Sequence, residues 1–159
     1  MTTKSIPESK SPHRLIRIIA IMALMFAGLV FASTATAGSA SAVSCPGSLV
    51  KDYGDSVSEL VVYYSGASGG TNCAGMNHLG AAYGQSLLTS VDLWTCSNTS
   101  PSATCNTTGH KYDQGYYAYY AGPVTFTGTA GRCIAAVGDM DRNGNSHAFT
   151  TSPFATACG

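Results

Sequence analysis

Gly66-Ala67-Ser68-Gly69-Gly70 fits the pattern G-x-S-x-G. In a nucleophile elbow that pattern puts the serine on a sharp strand-to-helix turn, with an acid and a histidine following on an α/β scaffold. Here a β-like run precedes Ser68, but Thr71-Asn72-Cys73 continues as loop and strand, and the chain is too short for that scaffold. A glycine-rich hairpin turn produces the same letters, so Ser68 is expected to be a turn residue. His78, His110 and His147 each stand alone in sequence, without the H-x-H or H-x-x-x-H spacing of a metal-ligand pair. Only convergence in space with Asp92 or Asp113 would give them acid–base partners. After the N-terminal region the single glutamate is Glu59, and the aspartates fall mainly in turn-like stretches, so paired carboxylates for glycosidic cleavage are not indicated. No catalytic residue is assigned, and the chain is expected to be non-enzymatic.

Two further groups point to binding. Asp139, Asp141 and Asn143, with Gly144 after them, match the first half of a calcium loop, in which alternate side chains and a sharp glycine turn wrap hard oxygens around the ion. Position 12 of that loop is Thr150 instead of a bidentate carboxylate, and Asp, Asn and Gly equally build an ordinary hairpin turn. Both readings stand, and calcium is the only cofactor the sequence suggests. Tyr112, Tyr116, Tyr117, Tyr119 and Tyr120 cluster. On a strand, alternate members face opposite sides, so part of the set fills the core while the rest is exposed. Trp94, Tyr117 and Tyr119 are the candidates for stacking on a sugar face or an apolar partner; cross-strand packing is the plainer use of such rings.

The elements that would carry these residues begin after a leader. Residues 18–32, IIAIMALMFAGLVFA, are uninterruptedly apolar or small and follow a basic stretch with Lys4, Lys10, Arg14 and Arg17. That length suits a secretory h-region better than a bilayer-spanning helix, which needs about 20 apolar residues. Small residues follow, with cleavage signatures at Ala35-Thr36-Ala37 and Ala40-Ser41-Ala42. The reading is a signal peptide over residues 1–37, with cleavage as late as 42, then one β-rich secreted domain over 38–159 without a transmembrane anchor. That domain holds four basic side chains against seven acidic, a net −3 that offers phosphates no basic stripe, so a nucleic-acid partner is excluded.

All six cysteines (Cys45, Cys73, Cys96, Cys105, Cys133 and Cys158) lie beyond the leader, as expected for three disulfides formed in an oxidising compartment. The close C-x-x-C pairs of a zinc site are missing. Cys96 and Cys105 flank the polar segment SNTSPSAT and are expected to staple a hairpin loop. Cys45, Cys73, Cys133 and Cys158 then pair among themselves, in any of three ways. Two N-x-[ST] sequons, at Asn98 and Asn106, also mark this region as exposed loop.

Helical periodicity is absent, and short β-like runs between Gly, Ser, Asn and Thr clusters dominate. The strongest is 60–64 (LVVYY), with 72–79 as its antiparallel return. Residues 90–96 alternate Val91, Leu93 and Thr95 against Asp92 and Trp94. Runs at 116–120 and 124–127 are expected as two strands hinged at Ala121-Gly122-Pro123, and runs at 132–137 and 146–150 complete the set. The fold class is all-β: a small disulfide-stabilised antiparallel sandwich or barrel.

YYAGPV at 119–124, G-x-C at Gly131–Cys133, the Cys158-Gly159 ending and YYSGASGGTNC at 63–73 together resemble the actinobacterial secreted family of spore-associated protein A. The resemblance spans roughly residues 45–159. It implies four family cysteines, matching Cys45, Cys73, Cys133 and Cys158, with Cys96/Cys105 an addition found in some relatives. It implies export and association with the spore or cell exterior, and brings no catalytic residues. A secreted protein held at the cell or spore surface, with cell-wall or spore-surface polymer as its partner, is the expectation. The alternatives are an extracellular carbohydrate-binding module, or a small inhibitor of a secreted hydrolase presenting the Cys96–Cys105 loop.

Overall fold

The computed structural model describes residues 42–159; the expected leader lies outside the described residues. Eight strands form two antiparallel four-stranded sheets: β1 (Ser48–Gly54), β2 (Ser58–Ser65), β3 (Thr71–His78), β4 (Leu87–Cys96), β5 (Thr107–Tyr117), β6 (Tyr120–Thr127), β7 (Ile134–Arg142) and β8 (Asn145–Thr150). The order is β1-β2-β3-β6 in sheet A and β5-β4-β7-β8 in sheet B. Of the all-β sandwich or barrel expected from sequence, the structure is a sandwich of two antiparallel sheets.

Alternation explains how each strand faces the core. Thr89, Val91 and Leu93 of β4 are buried while Leu88, Ser90, Asp92 and Trp94 point away. Leu60 and Val62, Ala74 and Met76, Val91 and Leu93, and Ile134, Ala136 and Met140 meet between the sheets in one apolar cluster. The sheets approach so closely at Gly138 that an added methyl would lie 2.7 Å from the Met76 sulfur. Strand β3 is buried along its whole length because residues 42–47 cross its other face. There Val43, only 5% exposed, seats over Gly75, its Cγ1 2.5 Å from where a Gly75 Cβ would stand. The Val43 amide donates to Asn77 Oδ1 at 2.9 Å, and Cys45 bonds Cys73.

All three disulfides are closed: Cys45–Cys73, Cys96–Cys105 and Cys133–Cys158. They gather at the end of the sandwich where β2 meets β3, β4 meets β5 and β6 meets β7. The C-terminal tail is fastened there too, with backbone bridges from Ala155 to Ser102 and from Thr156 to Ile134. The two seams between the sheets are closed by side chains. Along β1 and β8, the Tyr53 hydroxyl donates to Ser152 O and accepts from Ser152 N, and His147 Nδ1 donates to Asp55 Oδ2 at 2.7 Å. Along β5 and β6, Asp113 accepts from Tyr117 Oη and from Gly122 N, while Lys111 lies 4.6 Å over the Phe126 ring.

The strand expected at 116–120 does not exist as one element. It breaks at Ala118-Tyr119, because β5 must turn there to enter sheet A as β6. Gly122 and Pro123 lie within β6 and form an irregularity opposite Gly75, where the pairing slips between Ala74 and Met76. Gly122 has φ 95°, a conformation glycine reaches without a Cβ penalty. Strand β1 and most of β5 carry no clear apolar alternation, so the sequence does not announce them; both are edge strands of their sheets.

Candidate functional site

Strands β4 and β5 pair so that the outer face of sheet B is a set of rows. Trp94 stands opposite His110, Asp92 opposite Tyr112, Ser90 opposite Gln114 and Leu88 opposite Tyr116. On β7, Ala135, Val137 and Asp139 continue the first three rows. Period-two alternation alone places His110, Tyr112, Gln114 and Tyr116 on one side of β5.

The rings in the first rows stand face to face. Trp94 and His110 are 4.6 Å apart and within 7° of parallel, and His110 and Tyr112 are 5.8 Å apart at 20°. Phe154 of the tail tilts against Trp94 at 6.0 Å. The stack is pinned by His110 Nε2, which donates to Asp92 Oδ1 at 2.8 Å. One face of Trp94 is therefore taken by His110, and the rings left open to a ligand are Tyr112, 66% exposed, and Tyr116, 74% exposed.

The three rings expected to stack on ligand thus part company. Trp94 is an internal plate of the stack. Tyr117 turns inward, packing on the core, and its hydroxyl is fixed on Asp113 at 2.6 Å; that bond, then burial, raises its pKa. Tyr119 remains exposed, but on the β5–β6 turn against Tyr83. The residues missed by sequence reasoning are Tyr112 and Tyr116. Their shared parity with His110 is present in the sequence, but finding it requires a strand beginning at Thr107.

No family model, curated protein or solved structure matches the chain. What the face can do therefore rests on its own geometry: two open phenol rings at one edge, with a carboxylate, an amide and hydroxyls beside them.

The other candidates fall elsewhere. Ser68 sits in a 3₁₀ turn, Ala67–Gly69, joining β2 to β3, with no helix after it. Its φ of 54° lets the turn double back, so that Ser68 O, Gly69 O and Gly70 O accept bonds from the amides of Gly128, Ala130 and Thr129. Among the described residues each histidine has a partner other than Ser68. His110 holds Asp92 and His147 holds Asp55. His78, 1% exposed, lies 2.7 Å from Thr89 Oγ1. The Thr89 hydroxyl also reaches Leu87 O at 3.1 Å, while His78 Nδ1 is buried with no side-chain partner. Burial lowers the His78 pKa below 6.5, opposed only by nearby backbone carbonyls of Ala118, Ala82 and Gln85. Burial raises the Asp55 carboxyl, but bonds from Val57, His147 and Ser58 outweigh it and leave the pKa below its ordinary value.

The segment read as half a calcium loop is a two-residue hairpin. Asn143 and Gly144 both have positive φ and join β7 to β8, the geometry that Asn-Gly favours. Asp139 accepts from Ser146 Oγ at 2.6 Å, and Asp141 accepts from Gly144 N at 3.0 Å. Calcium takes six to eight oxygens, whereas here two carboxylates lie along one strand and serve the turn. Among the described residues no group of three His, Cys, Asp or Glu side chains converges on one point.

The loop between Cys96 and Cys105 is anchored along its length. Cys133 N bonds Asn98 O, Ser102 pairs with Ala155, and Asn98 Oδ1 accepts from Asn106 N. Its backbone is thus engaged with the rest of the domain.

Proposed function

We propose that this protein is a secreted, non-enzymatic domain that associates with the spore or cell surface by binding a polysaccharide through the outer face of sheet B. Export is supported by three disulfides, which fit a stabilised extracellular protein; among the described residues no helix is long and apolar enough to cross a membrane. The likeness to the spore-associated protein A family points to the same location.

The observation that carries the binding reading is the pair Tyr112 and Tyr116, the most exposed of the large apolar side chains among the described residues, on a face that also offers Asp92, Ser90 and Gln114. Sugar rings present C–H faces to aromatic rings and hydroxyls to carboxylates and amides, and this face provides both. The non-enzymatic reading is supported by His78, His110 and His147, each of which is committed to a structural partner away from Ser68.

Retention on insoluble cell-wall glycan and on chitin tests the proposal. The wild-type chain should be retained, and Tyr112→Ala and Tyr116→Ala should each weaken retention by about tenfold, the usual cost of removing a central aromatic contact. Absence of retention, or retention indifferent to both substitutions, would overturn it.

A further inference from the structure

We propose that Tyr83 and Tyr119 form a site for oxidative cross-linking, at which a one-electron oxidant of the peroxide-and-peroxidase class joins the two rings as dityrosine. This goes beyond the binding reading and does not depend on it. Tyr83 follows the 3₁₀ turn Gly80–Ala82 between β3 and β4, and Tyr119 lies on the turn between β5 and β6. Their ring centroids are 4.9 Å apart at 53°, and the two residues are 38% and 43% exposed. Exposure admits the oxidant, and the contact holds the two rings side by side. The backbone holds that arrangement, because His78 N bonds Tyr119 O and Gly84 N bonds Ala118 O, both at 2.8 Å.

The rest of the described molecule leaves oxidation few other places to act. All six cysteines are in disulfides, Met76 and Met140 are fully buried, and Trp94 is stacked under His110. The exposed tyrosines, Tyr83, Tyr112, Tyr116 and Tyr119, stay open to the oxidant. Among them Tyr83 and Tyr119 are the pair in ring contact.

Atoms and electrons balance. Each phenol gives up one electron and one proton, and the two phenoxyl radicals join through ring carbons ortho to oxygen. The hydrogens on those carbons move to restore both phenols, while one hydrogen peroxide is reduced to two waters. The product is lighter by two hydrogens. The bond would tie the β3–β4 connection to the β5–β6 turn, at the end of the sandwich opposite the disulfides.

Purified, disulfide-intact protein at micromolar concentration, treated with hydrogen peroxide and a haem peroxidase, tests this. Proximity favours the intramolecular reaction by orders of magnitude over coupling between molecules. The expected product is a monomer with dityrosine fluorescence, a mass lower by two hydrogens, a cross-linked peptide containing Tyr83 and Tyr119, and a raised Tm. Tyr83→Phe and Tyr119→Phe should each abolish it, since phenylalanine forms no phenoxyl radical, while Tyr112→Phe with Tyr116→Phe should leave it intact. Only intermolecular dimers, links mapped to Tyr112 or Tyr116, or no dityrosine would overturn the proposal. Because no glycan is present, that failure is separate from failure of the binding reading.

Discussion

Replacing both cysteines of one bridge by alanine tests how the covalent frame stabilises the domain. In the chain-entropy description a disulfide acts on the unfolded state, and its effect grows with the logarithm of the loop it closes. Cys45 and Cys73 are separated by 28 residues in sequence, Cys133 and Cys158 by 25, and Cys96 and Cys105 by 9. These loops give about 3.6, 3.5 and 2.6 kcal/mol at 25 °C. Against a stability of about 5–15 kcal/mol for a domain of this size, any one loss is large. Alanine rather than serine keeps a hydroxyl out of the sites of Cys73, Cys96 and Cys133, all fully buried. Urea unfolding followed by the fluorescence of Trp94, the sole tryptophan, and by far-UV circular dichroism gives each free energy. The Cys45/Cys73 variant should fall about 1 kcal/mol below the Cys96/Cys105 variant. Equal losses, or the reverse order, would refute loop closure as the main source of the stabilisation. They would point instead to native contacts at the short loop, which the Asn98 and Ser102 backbone bonds already tie down.

Acid titration and overpacking give two further checks. His78 resists a proton that the unfolded chain accepts below pH 6.5. Its contribution is therefore whole above that pH and declines on acidification by up to about 1.4 kcal/mol per pH unit, until the folded value is reached. Stability measured between pH 7.5 and 5.5 should fall more steeply in the wild type than in His78→Gln, and identical slopes would exclude the buried imidazole as the cause. Asp55 has the depressed-carboxylate sign and adds its own loss, beginning as pH falls through its ordinary 3.8. Gly75→Ala would drive a methyl into Val43 and should cost about 1–3 kcal/mol by overpacking. Val43→Ala in the same chain should recover part of that loss in the same urea titration.

The order of amino acids is enough to set the class of this fold. Without helical periodicity, and with β-like runs such as LVVYY and SVDLWTC between turn residues, the chain has no alternative to pairing strands. The count and placement of cysteines indicate three bridges, and the proximity of Cys96 to Cys105 indicates one partner pair. Local chemistry also favours Ser68 as a turn residue, since the glycines around it permit the doubled-back loop. Edge strands are less legible: β1 and β5 pair on one side only, so a full apolar face is not demanded of them. Tyr117 and Tyr116 are neighbours with the same propensities, and only the pleat of β5 sends one ring to Asp113 and the core and the other to solvent. Which histidine meets which aspartate is likewise decided between strands, because Asp55 and His147 are far apart in the chain and join only where β1 and β8 close a seam. A pattern along one strand can be read locally; the register between strands, and the side of the sheet a residue faces, exist only once the sheets have formed.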